Sequence, residues 1–385
     1  MVDAFCRSPL KLMNSTIAIC KARLPGSCRW LARLLLIVAL ISCSTRAALA
    51  TTDQPLFDAP PAVAVSDEIL LVSTRMIGTD CNDQSMIRGL RCQHLVRGPR
   101  VSSSVGLGAP QAVTAVNSEH WKTTDWRRLL SQQDRRQTIL YVHGNRVATG
   151  KDRAQGLSIY HSFKAHGRTK GPVRFVIWSW PAEPIAGPIK DYVVKARRTN
   201  PAAWQLAWLL DKLPVETQLS LVGYSYGTRV VSGAAHLLAG GRLGNLRLDK
   251  RDHPQTPRVR AALLAAAYDA DSFQPGKFYS QSLAQIERLV LTTNRLDPAM
   301  RFYHLSNGRG RMHALGKSGV HQPTALGVAA RCVQPVDFTR EVGRSHSLVD
   351  YLAAEAKMSN FWHELTRPSD LGMVSPAISH QRLHH

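Results

Sequence analysis

The chain has 385 residues, is 44% hydrophobic and carries a formal net charge of +22. That length supplies ample core for one large α/β domain or two smaller ones, and the ordinary hydrophobic content excludes a disordered or fibrous chain. The basic residues are spread over the whole sequence without an aromatic-basic module. Nucleic acid is therefore disfavoured as a partner, and attraction to an anionic membrane surface or plain solubility better accounts for the charge.

Residues 1–50 read as a leader. Arg29 and Arg33 flank the start of the apolar run Leu31–Ile41, and small residues follow, ending in Ala48-Leu49-Ala50. A basic region, a short apolar core and an Ala-x-Ala-like site spell a secretory signal peptide cleaved after Ala50, with Met13 as an alternative start. Leu40-Ile41-Ser42-Cys43 also fits a lipoprotein signal, which would put a lipid on Cys43. An uncleaved anchor ranks third, because the apolar stretch is short for a membrane span. Export is expected: periplasmic, secreted or lipid-anchored in a bacterial envelope. Four of the seven cysteines lie in this leader. In an oxidising compartment Cys81 and Cys92 could close a small loop, leaving Cys332 over. No spacing resembles a zinc site, and neither metal nor organic cofactor is expected.

Residues 51–66, rich in Pro, Ala and Asp, read as a linker, 67–365 as one domain and 366–385 as a loosely ordered tail. Strands are predicted at Glu68–Thr74, Gln93–Val101, Thr138–His143, Val173–Trp180, Gln218–Gly223, Val259–Ala267 and Arg288–Thr293. Helices are predicted at 151–166, Ala202–Leu213, Tyr226–Ala239 and Ser347–Met358, with a helical turn at Ser282–Glu287. Residues 102–136 are mixed. The stretch 304–330, rich in Gly, His and basic residues, reads as a long surface loop, with a positively charged cap over a site as the alternative. Strand and helix in alternation argue for a mainly parallel sheet with helices on both faces.

Chemistry enters with Gly223-Tyr224-Ser225-Tyr226-Gly227, which sits between an apolar strand and a helix. At such a turn a serine is held on strained backbone with Oγ pushed out of the sheet, and glycines on either side let strand and helix approach. A serine needs a base, a group to orient that base and N–H donors for the oxyanion. The acid should follow a late strand. Asp297, after Arg288–Thr293, is favoured over Asp269 and Asp271, the competing reading being a helix cap. His346, in a loop before an apolar helix, is the favoured base over His304, His313 and His321. The oxyanion donors would be the Tyr226 N–H and one from the turn at His143-Gly144-Asn145, where Gly144 lets the backbone bend. His143 itself reads as a packing and hydrogen-bonding residue. Trp178, Trp180 and the Pro-rich 181–188 either wall an acyl pocket or pack the core.

On Tyr-Val-His-Gly-Asn (141–145), Gly-Tyr-Ser-Tyr-Gly (223–227), Ala-Ala-Tyr-Asp-Ala-Asp-Ser-Phe (266–273) and Asn-Arg-x-Asp (294–297), the chain resembles the α/β-hydrolase superfamily. It looks most like a poorly characterised bacterial esterase/lipase-like branch. The resemblance implies an α/β-hydrolase fold, a Ser225–His346–Asp297 triad and hydrolysis of a small-molecule or lipid ester. Relatives commonly place an aromatic between the Gly and Asn of the oxyanion turn. Here Asn145 follows Gly144 directly, so the second donor stays open between Asn145 and Arg146. The alternative reading is a non-catalytic binding protein that keeps the fold at the cell envelope.

Overall fold

The protein is described by a computed structural model covering residues 67–100, 116–131, 136–169, 171–248, 256–303 and 312–367. The expected leader with Cys43, the linker 51–66, His304 and the tail from 368 lie outside the described residues. In chain order the elements are β1 (Glu68–Ser73), α1 (Asp83–Gly89), β2 (Arg91–Arg100), β3 (Val116–Thr124), β4 (Gln137–Val142), α2 (Lys151–His166), β5 (Val173–Ser179), α3 (Pro188–Asp211), β6 (Leu219–Tyr224), α4 (Tyr226–Leu238) and β7 (Val259–Leu264). Then come α5 (Ser282–Gln285), β8 (Ile286–Thr293), α6 (Pro298–Phe302), α7 (Leu315–Ser318), β9 (Val333–Asp337), α8 (Thr339–Val342), α9 (Leu348–Ala353) and α10 (Glu355–Thr366). Short 3-10 segments span Trp126–Leu130 and Pro323–Cys332.

The strands form one sheet in the order β3-β2-β1-β5-β4-β6-β7-β8-β9. From β1 to β9 across the sheet the pairing is parallel. β2 and β3 add an antiparallel flank. Strand order reverses at β4, which has β5 on one side and β6 on the other. Loops leaving the carboxyl ends of β4 and β6 therefore diverge, opening a crevice in the usual place for a site on an open parallel sheet.

Side chains alternate across each strand, so both faces must be covered. Leu140, Val142, Val176, Trp178, Leu221 and Leu263 pack toward α3 and α4, with Leu206, Leu209, Val230 and Ala234. Ile139, Tyr141, Phe175, Ile177, Val222 and Leu264 pack toward α2 and α10, with Ile159, Phe163, Phe361 and Trp362. This is the mainly parallel sheet with helices on both faces expected from the strand–helix alternation, the architecture that the α/β-hydrolase resemblance implies. Burying a side chain of this size is worth about 1.5–3 kcal/mol.

Some elements differ from expectation. α3 starts at Pro188 rather than Ala202, with Pro188 in its first turn and Pro201 inside it. Pro188 is tolerated because the first helical position needs no N–H. The C-terminal helix is two, broken at Ala354 (φ −80, ψ 65). β7 stops at Leu264 because Ala265 turns to positive φ (49°). Trp178 and Trp180 are both fully buried, which makes them core rather than pocket wall. Cys81, Cys92 and Cys332 are free thiols, so the suggested Cys81–Cys92 loop is not closed.

Candidate active site

Ser225 stands between β6 and α4 at φ 52, ψ −117, in the sparsely populated region that costs a non-glycine residue about 1–3 kcal/mol. Its neighbours hold it there. Its N–H donates to Leu264 O at 2.9 Å, and its carbonyl accepts from Thr228 N at 3.1 Å. The flanking glycines are a steric necessity. A Cβ on Gly227 would lie 2.1 Å from Val142 O, and one on Gly223 would lie 2.8 Å from Gly227 O.

His346 reaches this serine from the loop before α9. Its Nε2 is 3.0 Å from Ser225 Oγ and its Nδ1 is 2.7 Å from Asp297 Oδ2. With the serine hydroxyl donating to Nε2, Nδ1 carries the proton and donates to the carboxylate, a tautomer assigned from this network. The Asp297 side chain is fully buried, while that of His346 is 25% exposed. Asp297 also caps α6, because its Oδ1 accepts from Ala299 N at 2.8 Å and Met300 N at 3.2 Å. The two oxygens divide the work: one holds the helix, the other the imidazole. A proton leaving Ser225 Oγ thus has an acceptor at hydrogen-bond distance, and the imidazolium that results has a buried counter-charge.

The rival candidates are engaged elsewhere. Asp269 accepts from the Tyr303 hydroxyl and Asp271 pairs with Lys277 at 2.8 Å. His313 and His321 are exposed and their rings make no contact with Ser225. His143 is fully buried and stacks on Trp180 with ring centroids 5.8 Å apart. Its Nε2 accepts from Trp180 N at 3.3 Å and its Nδ1 lies 2.9 Å from Gly144 O. Burial pushes its pKa down to about 4, so it stays neutral near pH 7.

On the oxyanion side, Tyr226 is the first residue of α4, where N–H groups point out of the helix end. Gly144 approaches closely, since a Cβ there would lie 3.2 Å from Ser225 Cβ. Asn145 turns its side chain away: Nδ2 donates to Asp191 Oδ2 at 2.9 Å. Arg146 takes positive φ (60°) and its guanidinium pairs with the same oxygen at 3.4 Å. Ser225, Tyr226 and the 144–146 turn therefore converge at the carboxyl ends of β4 and β6.

No known family pattern matches the chain, and no curated protein does. Among solved structures the chain is similar to acyl-protein thioesterase 2 of Zea mays, with 14% identity over 58% of this chain and 91% of that one, at a TM-score of 0.30. It is also similar to a thermophilic esterase of the Planctomycetes species Thermogutta terrifontis. The native form shows 14% identity over 72% of this chain and 96% of that one, again at a TM-score of 0.30. Likeness at this level carries no argument about activity, which has to rest on the geometry.

Three supports were not picked out from the sequence. Asn294 is fully buried and ties the acid loop to the histidine loop, its Nδ2 donating to Gly343 O (2.8 Å) and Ser345 O (3.2 Å). Tyr224 stacks on His346 at 5.6 Å and its hydroxyl donates to His346 O; burial, then the Asp297 charge, raises its pKa, keeping it a donor. Asp191, in the first turn of α3, accepts from Asn145, Arg146, Ile185 N (2.9 Å) and the fully buried Lys195 (3.2 Å). Asn294 sits in the Asn-Arg-x-Asp stretch already singled out, whereas Asp191, three residues into the Pro-started α3, had no signal of its own.

Proposed function

We propose that the chain is a serine hydrolase cleaving carboxylic esters through an acyl-enzyme. The reading rests on the two contacts of His346, one to Ser225 Oγ and one to Asp297. Ser225 Oγ attacks the ester carbonyl carbon while its proton passes to His346 Nε2. The carbonyl oxygen, now an oxyanion, accepts from the Tyr226 N–H and from the turn at Gly144–Asn145; one such donor is worth about 10²–10³ in kcat. Collapse breaks the bond to the alcohol oxygen, which leaves with the proton from His346. A water then gives a proton to His346 and attacks the acyl carbon, releasing the carboxylic acid and restoring Ser225. Asp297 keeps the imidazole oriented throughout. The chemistry requires neither metal nor organic cofactor.

The acting unit is the domain at 67–365, and the pattern of residues 29–50 supports action after export. The test is hydrolysis of p-nitrophenyl esters of graded acyl length by the purified protein. Turnover that falls by at least about 10⁴-fold in Ser225→Ala supports the reading. Equal turnover by wild type and Ser225→Ala, or none with any ester, contradicts it.

A further inference from the structure

At the opposite end of the sheet from Ser225, where β7, β8 and β9 begin, lies a cavity of about 740 Å³. Phe273, Leu283 and Ile286, all buried, form its apolar base. One wall is the 3-10 stretch Pro323–Cys332, kinked at Gly327 (φ 55), in which no residue is fully buried. Leu326 and Ala329 pack only partly against the core, and Val328 is 80% exposed. This stretch overlaps the 304–330 segment, whose earlier part hydrogen-bonds past the carboxyl ends of β7 and β8 (Leu315 N to Tyr268 O at 2.7 Å, Gly316 N to Ala266 O at 2.9 Å), while its residues from Ala325 on run beside the strand starts.

Four arginines line the same space: Arg258, Arg288, Arg331 and Arg367. Arg288 pairs with Glu364 at 3.1 Å, and the lining carboxylate Glu287 is taken by Arg260 at 2.6 Å. Arg258 and Arg331 pair with no carboxylate among the described residues. Setting Arg258 and Arg331 beside the paired Arg288 around a hydrocarbon-lined hollow adds repulsion that no carboxylate of the described residues offsets at those two positions. Leaving Leu326 half covered and Val328 largely bare forfeits burial as well.

We propose that this cavity binds a single-chain anionic amphiphile. The alkyl chain lies on Leu283, Ile286 and Leu326, and a carboxylate or phosphate head sits between Arg258 and Arg331. Planar guanidinium forks suit both kinds of head. A neutral amphiphile leaves the arginines unanswered and an inorganic anion leaves the apolar wall uncovered. The volume falls in the range of small-molecule sites rather than of a protein-docking face. Because the cavity is remote from Ser225, its occupancy is independent of the proposed catalysis.

The experiment is calorimetric titration of the full chain with dodecanoate, dodecyl phosphate, dodecanol and inorganic phosphate, each below its aggregation concentration. Maleimide labelling of Cys332, a half-buried cavity residue, is followed in parallel. Saturable one-to-one binding of dodecanoate, of dodecyl phosphate or of both, with slowed Cys332 labelling, is expected, and the stronger of the two identifies the head group. Protein phosphonylated at Ser225 should bind equally well. Arg258→Ser with Arg331→Ser should weaken binding at least tenfold. Val328→Asp, an exposed change that spares the fold, should also weaken it. Any of four results overturns the proposal: no saturable binding of either anion, equal binding of dodecanol, Cys332 protection by inorganic phosphate alone, or loss of binding on phosphonylation. Binding to anionic vesicles but to no monomer overturns it too.

Discussion

Asn294→Ala removes the clamp between the loop that carries Asp297 and the loop that carries His346. The amide makes three contacts: Nδ2 to Gly343 O and Ser345 O, and Oδ1 from Leu296 N at 3.0 Å. At about 1 kcal/mol per neutral hydrogen bond, and more where a buried group is left without water, the loss is about 3 kcal/mol of stability. The same contacts set the position of His346, three residues past Gly343 and next to Ser345. Misplacing a reacting group by about 1 Å costs about 10²-fold in rate. The expected outcome is a lower urea midpoint together with a kcat reduced about 10²-fold and a KM changed little, because substrate contacts are untouched. Asn294→Asp keeps the acceptor for Leu296 but turns an oxygen toward two carbonyls, so it should be no better. Ester turnover with kcat and KM separated, alongside urea unfolding, is the assay. If Asn294→Ala loses stability yet keeps kcat within threefold, the clamp does not set His346 and the reasoning fails.

Other outcomes follow from the same contacts. Asp191→Leu leaves the buried Lys195 ammonium without its carboxylate and should cost about 3–5 kcal/mol, whereas adding Lys195→Met should recover much of that, since an apolar pair can replace a buried ion pair; urea midpoints that fall further in the double variant would contradict this. Gly227→Ala drives a methyl into Val142 O and should cost at least about 3 kcal/mol or prevent folding, so a variant with an unchanged melting temperature would show that the strand–helix contact is looser than described. His143, pushed from its ordinary 6.5 to about 4 by burial, makes the unfolded chain bind a proton that the folded chain refuses between those values. Its contribution is complete above about pH 6.5 and is lost as pH falls toward 4, by up to about 3 kcal/mol. Urea midpoints at pH 7 and 4.5 should show this slope, and His143→Gln should flatten it; an equally steep slope in that variant would refute the assignment.

The fold was legible where buried strands wrote their own signature. Val173–Ser179 and Leu219–Tyr224 are short apolar runs bounded by turn residues, and both strands stand where expected. β9 was not legible: Val-Gln-Pro-Val-Asp carries a proline and is tolerated because the strand is the sheet's last, paired only to β8. β3 is polar along much of Val116–Thr124, which suits an edge strand and hides it in sequence. For the site, chain order and strand context were enough to single out Ser225, Asp297 and His346, and the fold brings the three together. The cap reading of Asp297 also holds, since its two oxygens serve different partners. The roles of Asn294 and Asp191 as supports were not legible because Gly343 and Ser345 for the one, and Asn145 for the other, lie 46 or more residues away, and only the closed sheet brings them into reach.

The most direct measurement of the central claim is covalent labelling with a fluorophosphonate, read by intact mass and peptide mapping. The geometry requires one adduct per chain on the Ser225 peptide, formed slowly or not at all in His346→Gln and absent in Ser225→Ala. Unmodified Ser225 in the wild-type protein, or an adduct that persists in Ser225→Ala, would contradict it.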